Sequence, residues 1–211
     1  RVPLLAVVNA ANEVGYTREI EARLEEGYGT LKVKVGFDAA ADMARVRSIQ
    51  RLVGGRALIR LDGNQGYGIE DAVEFAAGLD PDGIELFEQP CAAGDWLAAI
   101  AVAEAATVPM MLDESIYGPD DIEQAAETGA ARYVKLKLMK MGSIEALEHG
   151  LTRIRDLGMT PVLGNGVASD VGCWMEACVA RRLIDNAGEM NGFLKPRDGV
   201  FAQAIVVDGG C

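Results

Sequence analysis

The 211-residue sequence contains one histidine, His149, and only four cysteines, Cys91, Cys173, Cys178 and Cys211. No pair of cysteines has CxxC spacing, and Cys173 and Cys178 fall in one helix-like run. That leaves neither a nitrogen–sulfur zinc site nor a dithiol redox motif, and the thiols read as reduced residues of a cytoplasmic protein. No apolar run approaches the roughly 18 residues of a membrane span, and no signal peptide is visible. Lys and Arg do not cluster and the formal net charge is −12, so nucleic acid and anionic membranes are poor partners. No GxGxxG follows the first apolar run; Gly164-Asn165-Gly166 is a bare GxG that comes too late for a dinucleotide fingerprint. The sequence opens Arg1-Val2-Pro3 and closes Gly-Gly-Cys, from which we expect further flanking sequence.

What is present is alternation. Half the residues are hydrophobic, enough for one sizeable core. Strands are predicted at 3–8, 31–35, 57–62, 83–88, 108–113, 133–138 and 160–164, with a short eighth near 188–190. Helical patterns separate them at 17–26, 39–52, 69–78, 95–105, 120–128, 143–157 and 169–183. Gly118-Pro119-Asp120-Asp121 reads as a turn into a capped helix, with Gly129 and Gly158 at helix ends. Strict strand–helix alternation predicts a parallel sheet, and eight strands predict closure into a TIM-type barrel spanning residues 1–211. An open doubly wound sheet is the rival.

Lys34, Asp62, Glu88, Asp113 and Lys137 recur about one strand–helix unit apart, each near the end of a predicted strand. In Leu31-Lys32-Val33-Lys34-Val35 both lysines occupy one face, and Val134-Lys135-Leu136-Lys137-Leu138 repeats the arrangement. Edge strands that show lysine to water would have the same pattern. Two such strands in phase with three acid-ended ones point instead into a barrel mouth. Three neighbouring carboxylates repel unless a cation joins them, and hard oxygen donors without histidine favour Mg²⁺ or Mn²⁺. Such a cation can stabilise an enediolate formed when the carbon next to a carboxylate loses its proton. A lysine on each side of the trio would then allow deprotonation on one face and reprotonation on the other.

At these residues the sequence resembles the enolase superfamily, in its muconate lactonizing enzyme subgroup. The matching pieces are Lys32-Val33-Lys34, Asp62-Gly63-Asn64-Gln65, Glu88-Gln89-Pro90, Asp113-Glu114-Ser115 and Lys137-Leu138-Met139-Lys140-Met141-Gly142, in order and one per strand. The resemblance implies a (β/α)₇β barrel, Mg²⁺ bound by Asp62, Glu88 and Asp113, acid/base roles for Lys34 and Lys137, and Lys32 as an electrostatic helper. Asn64 and Glu114 would support the substrate, a small-molecule carboxylate, with Asn165 and Glu189 as further substrate contacts. It also implies a homo-oligomer and an N-terminal capping domain, to which nothing in this sequence corresponds.

The sequence departs from the pattern in places. Gly142-Ser143 stands for the usual Gly-Gly, and Glu189-Met190-Asn191 for an Asp-x-Asp that holds a substrate ammonium. A related branch uses a catalytic histidine after the seventh strand, whereas His149 falls inside the sixth predicted helix. The leading expectation is a racemase or epimerase of amino-acid derivatives or dipeptides. Cycloisomerase or dehydratase chemistry, a Schiff-base aldolase using Lys137, and a non-catalytic metal-binding barrel are the alternatives.

Overall fold

The computed structural model describes residues 1–195 and 198–211. Among these residues, seven parallel strands lie in sequence order: β1 (Ala6–Val8), β2 (Thr30–Lys34), β3 (Leu58–Asp62), β4 (Ile84–Glu88), β5 (Met110–Leu112), β6 (Tyr133–Leu136) and β7 (Thr160–Leu163). The helices between and after them are α1 (Glu13–Glu25), α2 (Ala39–Val53), α3 (Ile69–Gly78), α4 (Trp96–Ala105), α5 (Pro119–Thr128), α6 (Leu138–Met141), α7 (Ile144–Asp156) and α8 (Asp170–Leu183). The result is a curved parallel sheet built from consecutive strand–helix units, which rules out the doubly wound order.

Local sequence sets the helix ends. Asn12, Asp38, Asp95, Ser143 and Ser169 each cap a helix by accepting a backbone N–H of its first turn, and Pro119 begins α5 behind Gly118. Gly129 ends α5 in the left-handed conformation at φ 66°, as its place after the helical run predicts.

The predicted eighth strand is reduced to two bridged residues. Gly188 pairs with Leu4 beside β1, and Glu189 pairs with Gly164 beside β7. The Glu189 N–H donates to Leu163 O at 2.9 Å, and the Leu5 N–H to Gly188 O at 2.9 Å.

The two faces of the sheet differ in chemistry. Leu31 and Val33 of β2, Leu61 of β3 and Phe87 of β4 join the main core against the helices, and burying such side chains fully stabilises by about 1.5–3 kcal/mol each. The opposite face holds a small apolar cluster of Leu86, Met111 and Val162. It also holds Lys32, Arg60 and Lys135, which are among the largest fully buried side chains of the molecule. Buried charges of this kind persist only with partners. The acids at the strand ends supply them for the lysines.

Several strands are shorter than expected: β1 begins at Ala6, β5 spans only Met110–Leu112 and so excludes Asp113, and the end of β6 bears on the site. Lys137 does not end a strand: β6 stops at Leu136, and Lys137 is the N-cap of the four-residue α6. The cause lies outside β6, because Glu176 of α8 accepts the Leu138 N–H at 3.1 Å and Gly142 closes the turn at φ 78°.

Candidate active site

Parallel register brings the acids together. Lys34 of β2 lies opposite Asp62 of β3, and Asp62 lies opposite Glu88 of β4. Asp113 follows the last residue of β5. Its N–H, with that of Ser115, donates to Gln89 Oε1 at 3.0 and 3.2 Å. The Gln89 amide nitrogen in turn donates to Cys91 O and Ser115 Oγ. Gln89 adopts φ 35°, so strained backbone is spent on clamping the β4 end to the β5 end. The loops after β2 and β3 pack backbone to backbone: a Cβ on Gly66 would stand 2.1 Å from Gly36 O, which no side chain tolerates.

The charges form an alternating chain across the site. Lys34 Nζ is 2.7 Å from Asp62, Lys32 Nζ joins Asp62 at 2.8 Å to Glu88 at 3.0 Å, and Lys137 Nζ is 2.7 Å from Asp113. Lys135 closes the gap, 2.7 Å from Glu88 Oε1 and 3.5 Å from Asp113 Oδ2. The Glu189 carboxylate accepts from both Lys32, at 2.9 Å, and Lys135. Lys140 donates to Asp113 Oδ1 at 3.0 Å and lies over the Tyr117 ring. The two amines predicted to move protons therefore stand at opposite ends of one chain, with the three acids between them.

Exposure separates the roles. The Lys34 side chain is 38% accessible and that of Lys137 13%, whereas Lys32 and Lys135 are each 2% accessible. Only the outer amines can meet a substrate directly.

Burial and pairing shape the acidities. Burial pushes the Glu88 carboxyl up to about 7 against the pull of Lys135 and Lys32. Asp113 and Asp62 suffer the same burial, but the surrounding ammonium groups outweigh it and hold both below the ordinary carboxylate range. For Lys32 and Lys135 burial opposes the charge, yet the carboxylates beside them raise both above the usual amine range.

The predicted supporting residues fall into two groups. Asn64, at φ 42°, accepts from Lys34, donates to Glu114 Oε1 at 3.0 Å, and its N–H donates to Asp62 Oδ1. Asn64 and Glu114 thus stand at the Lys34 end of the site. Asn165 and Glu189 are engaged internally. Asn165 donates to Glu176 and accepts the Gly192 N–H at 3.0 Å, and Glu189 is committed to the two buried lysines. His149 sits exposed on α7, within the helix where its sequence context put it.

Among the described residues, no three His, Cys, Asp or Glu side chains are arranged as a metal cage, and the three acids are paired with ammonium groups. The donor set nonetheless suits a hard divalent ion. Glu88 Oε2 is buried with no hydrogen-bond partner; Lys32 lies within ion-pair distance but is not aligned to donate.

Sequence reasoning quoted Lys135, Gln89 and Lys140 within its motifs but gave them no role of their own, and it did not single out Glu176. Lys135 had a usable signal, since it precedes Lys137 by the same two residues that separate Lys32 from Lys34.

Comparison with known proteins decides the family. A model described as enolase C-terminal domain-like matches residues 15–211. The chain belongs to the enolase superfamily. Its relatives place it in the branch of mandelate racemase and muconate lactonizing enzyme. It is 33% identical over 168 residues to the L-Ala-D/L-Glu epimerase of Bacillus subtilis, covering 78% of this chain and 45% of that protein. It is 36% identical over 218 residues to the o-succinylbenzoate synthase of Mycobacterium tuberculosis, covering 99% of this chain and 63% of the relative. The solved structure of a substrate-liganded Bacillus subtilis L-Ala-D/L-Glu epimerase superposes with a TM-score of 0.90 at 29% identity, over 99% of this chain and 59% of that one. The chain thus spans about half the length of the epimerases it matches. No helix among the described residues is long and apolar enough to cross a membrane.

Proposed function

We propose that this chain is the catalytic barrel of an isomerase that inverts the carbon next to a substrate carboxylate, with a dipeptide as the favoured substrate. One observation carries the reading: Lys34 and Lys137, the two accessible amines, flank a continuous set of buried acids. The epimerase relatives support the choice of reaction class. The bridges that Gly188 and Glu189 make to both sheet edges support closure into a (β/α)₇β barrel.

Asp62, Glu88 and Asp113 are the residues that would hold Mg²⁺. Bound there, the ion would offset the negative charge that develops on the substrate carboxylate as its neighbouring carbon is deprotonated. The side chains do the remaining work. One of Lys34 and Lys137, in its neutral form, takes the α-proton from one face, and the other, as an ammonium, returns a proton to the opposite face. Lys32, buried against Asp62 and Glu88, contributes fixed positive charge behind the substrate carboxylate. Asn64 and Glu114 orient Lys34 from the accessible side. Association into a homo-oligomer belongs to the same proposal.

Incubation in D₂O with Mg²⁺ and a panel of dipeptides tests it. The expected result is deuterium at the α-carbon together with formation of the epimer, both abolished by EDTA. Activity that survives EDTA, with borohydride trapping a carbonyl substrate on Lys137, would replace this reading with Schiff-base chemistry.

A further inference from the structure

Lys135 has no part in the proton transfer above, yet it lies at the electrostatic centre of the site. Its side chain is 2% accessible, so it cannot be a surface lysine folded back by chance. Among the described residues it is the one amine within ion-pair distance of both Glu88 and Asp113, at 2.7 and 3.5 Å. A divalent ion held by those acids would have to share the space between them with this ammonium. Two cations only a few ångströms apart in a buried site repel strongly. The third partner of Lys135 is Glu189, which belongs to the bridge beside β7 and not to the proposed metal trio.

We propose that Lys135 is a tethered counter-cation that competes with the divalent ion for Glu88 and Asp113, and that Glu189 retains the Lys135 ammonium when the ion enters. The inference rests on the reading that Asp62, Glu88 and Asp113 hold a divalent cation. The site then selects against weak or scarce cations, because every ion that binds must first displace an internal one. Glu189, with a single carboxylate where relatives of the dipeptide type were expected to show two, serves the lysine and not a substrate ammonium.

Mn²⁺ binding to the intact chain, followed by the electron paramagnetic resonance of free Mn²⁺, tests this without any turnover. Lys135→Met should bind Mn²⁺ about tenfold or more tightly than the parent protein. Glu189→Gln should weaken binding in the parent background and leave Lys135→Met unchanged, since the landing place matters only when there is an ammonium to receive. Circular dichroism verifies that each variant is folded. Should Lys135→Met fail to fold, a crystal structure of the parent with Mn²⁺ decides the matter: Lys135 Nζ is expected on Glu189 and away from Glu88 and Asp113. Equal Mn²⁺ affinity in parent and Lys135→Met, lost in Asp113→Asn, would overturn the competition and leave the metal reading standing. Mn²⁺ binding to none of these proteins would overturn both.

Discussion

β2 and β6 carry the same two-residue lysine pattern on the same face of the sheet, and the molecule finishes them differently. On β2 the strand runs through Lys34, which pairs with Asp62 and stays partly accessible. On β6 the strand stops one residue short, and Lys137 begins a helical turn with its amine on Asp113. The braces behind them differ as well. The loop after β2 is gathered by Asp42, which accepts the Gly36 and Phe37 N–H groups at 3.0 Å and the Tyr67 hydroxyl at 2.7 Å. The turn after Lys137 is held from α8 by Glu176, itself tied to Asn165. On the proposed mechanism, two amines that serve opposite faces of a planar intermediate need not be presented by equivalent backbone. They need equivalent reach.

The largest effects are expected where that symmetry is broken outright. Lys34→Ala and Lys137→Ala should each lower the interconversion of epimers about 10²–10⁴-fold, measured by polarimetry or by chiral separation. If one variant keeps near-normal rates, the two strands are not partners. Asp113→Asn comes next, because it leaves Lys135, Lys137 and Lys140 short of a shared counter-charge in the interior. Urea unfolding in EDTA should show a loss of about 3–5 kcal/mol.

Removing the braces should cost less and should separate the two sides. Asp42→Ala and Glu176→Ala each leave part-buried backbone N–H donors without their partner and should lower stability by about 1–3 kcal/mol. Their pH responses should have opposite signs. For Asp42, burial raises the pKa but the Phe37 N–H, the Tyr67 hydroxyl and Arg45 outweigh it, so the folded value is depressed. Its contribution is present above the ordinary aspartate range and is lost as the pH falls through the folded value. For Glu176, burial prevails and raises the folded value above 4.5. Its contribution is full below the unfolded value and is lost as the pH rises through the folded one. Unfolding free energies of Asp42→Asn and Glu176→Gln, each compared with the parent from strongly acidic to neutral pH, should therefore diverge from it at opposite ends of the range. The smallest effect is Gly142→Ala. At φ 78° a Cβ costs about 1–2 kcal/mol, and the loss should fall on the Lys137 side alone.

Much of this arrangement was legible in the sequence. Period-2 alternation in Lys32-Val33-Lys34 and Lys135-Leu136-Lys137 gave the correct face for all four lysines. The spacing of Asp62, Glu88 and Asp113 anticipated that parallel register would set them side by side. What the sequence did not disclose depends on distant parts of the chain. The end of β6 is set by Glu176 from a helix 38 residues further on, and no local preference at Lys137 signals it. The clamp by Gln89 depends on a left-handed backbone that favours glycine and is imposed by its surroundings. The substrate-facing expectation for Asn165 came from its place after the seventh strand, and that for Glu189 from standing where similar enzymes carry an Asp-x-Asp. Position along a strand does not reveal whether a buried partner has already engaged the side chain.

Exchange of the α-proton in D₂O, followed by NMR for each epimer of a dipeptide separately, tests most directly whether Lys34 and Lys137 serve opposite faces. Lys34→Ala should retain exchange of one epimer only, and Lys137→Ala should retain exchange of the other only. If both variants exchange the same epimer, or if either still exchanges both, the two amines do not face each other across the substrate.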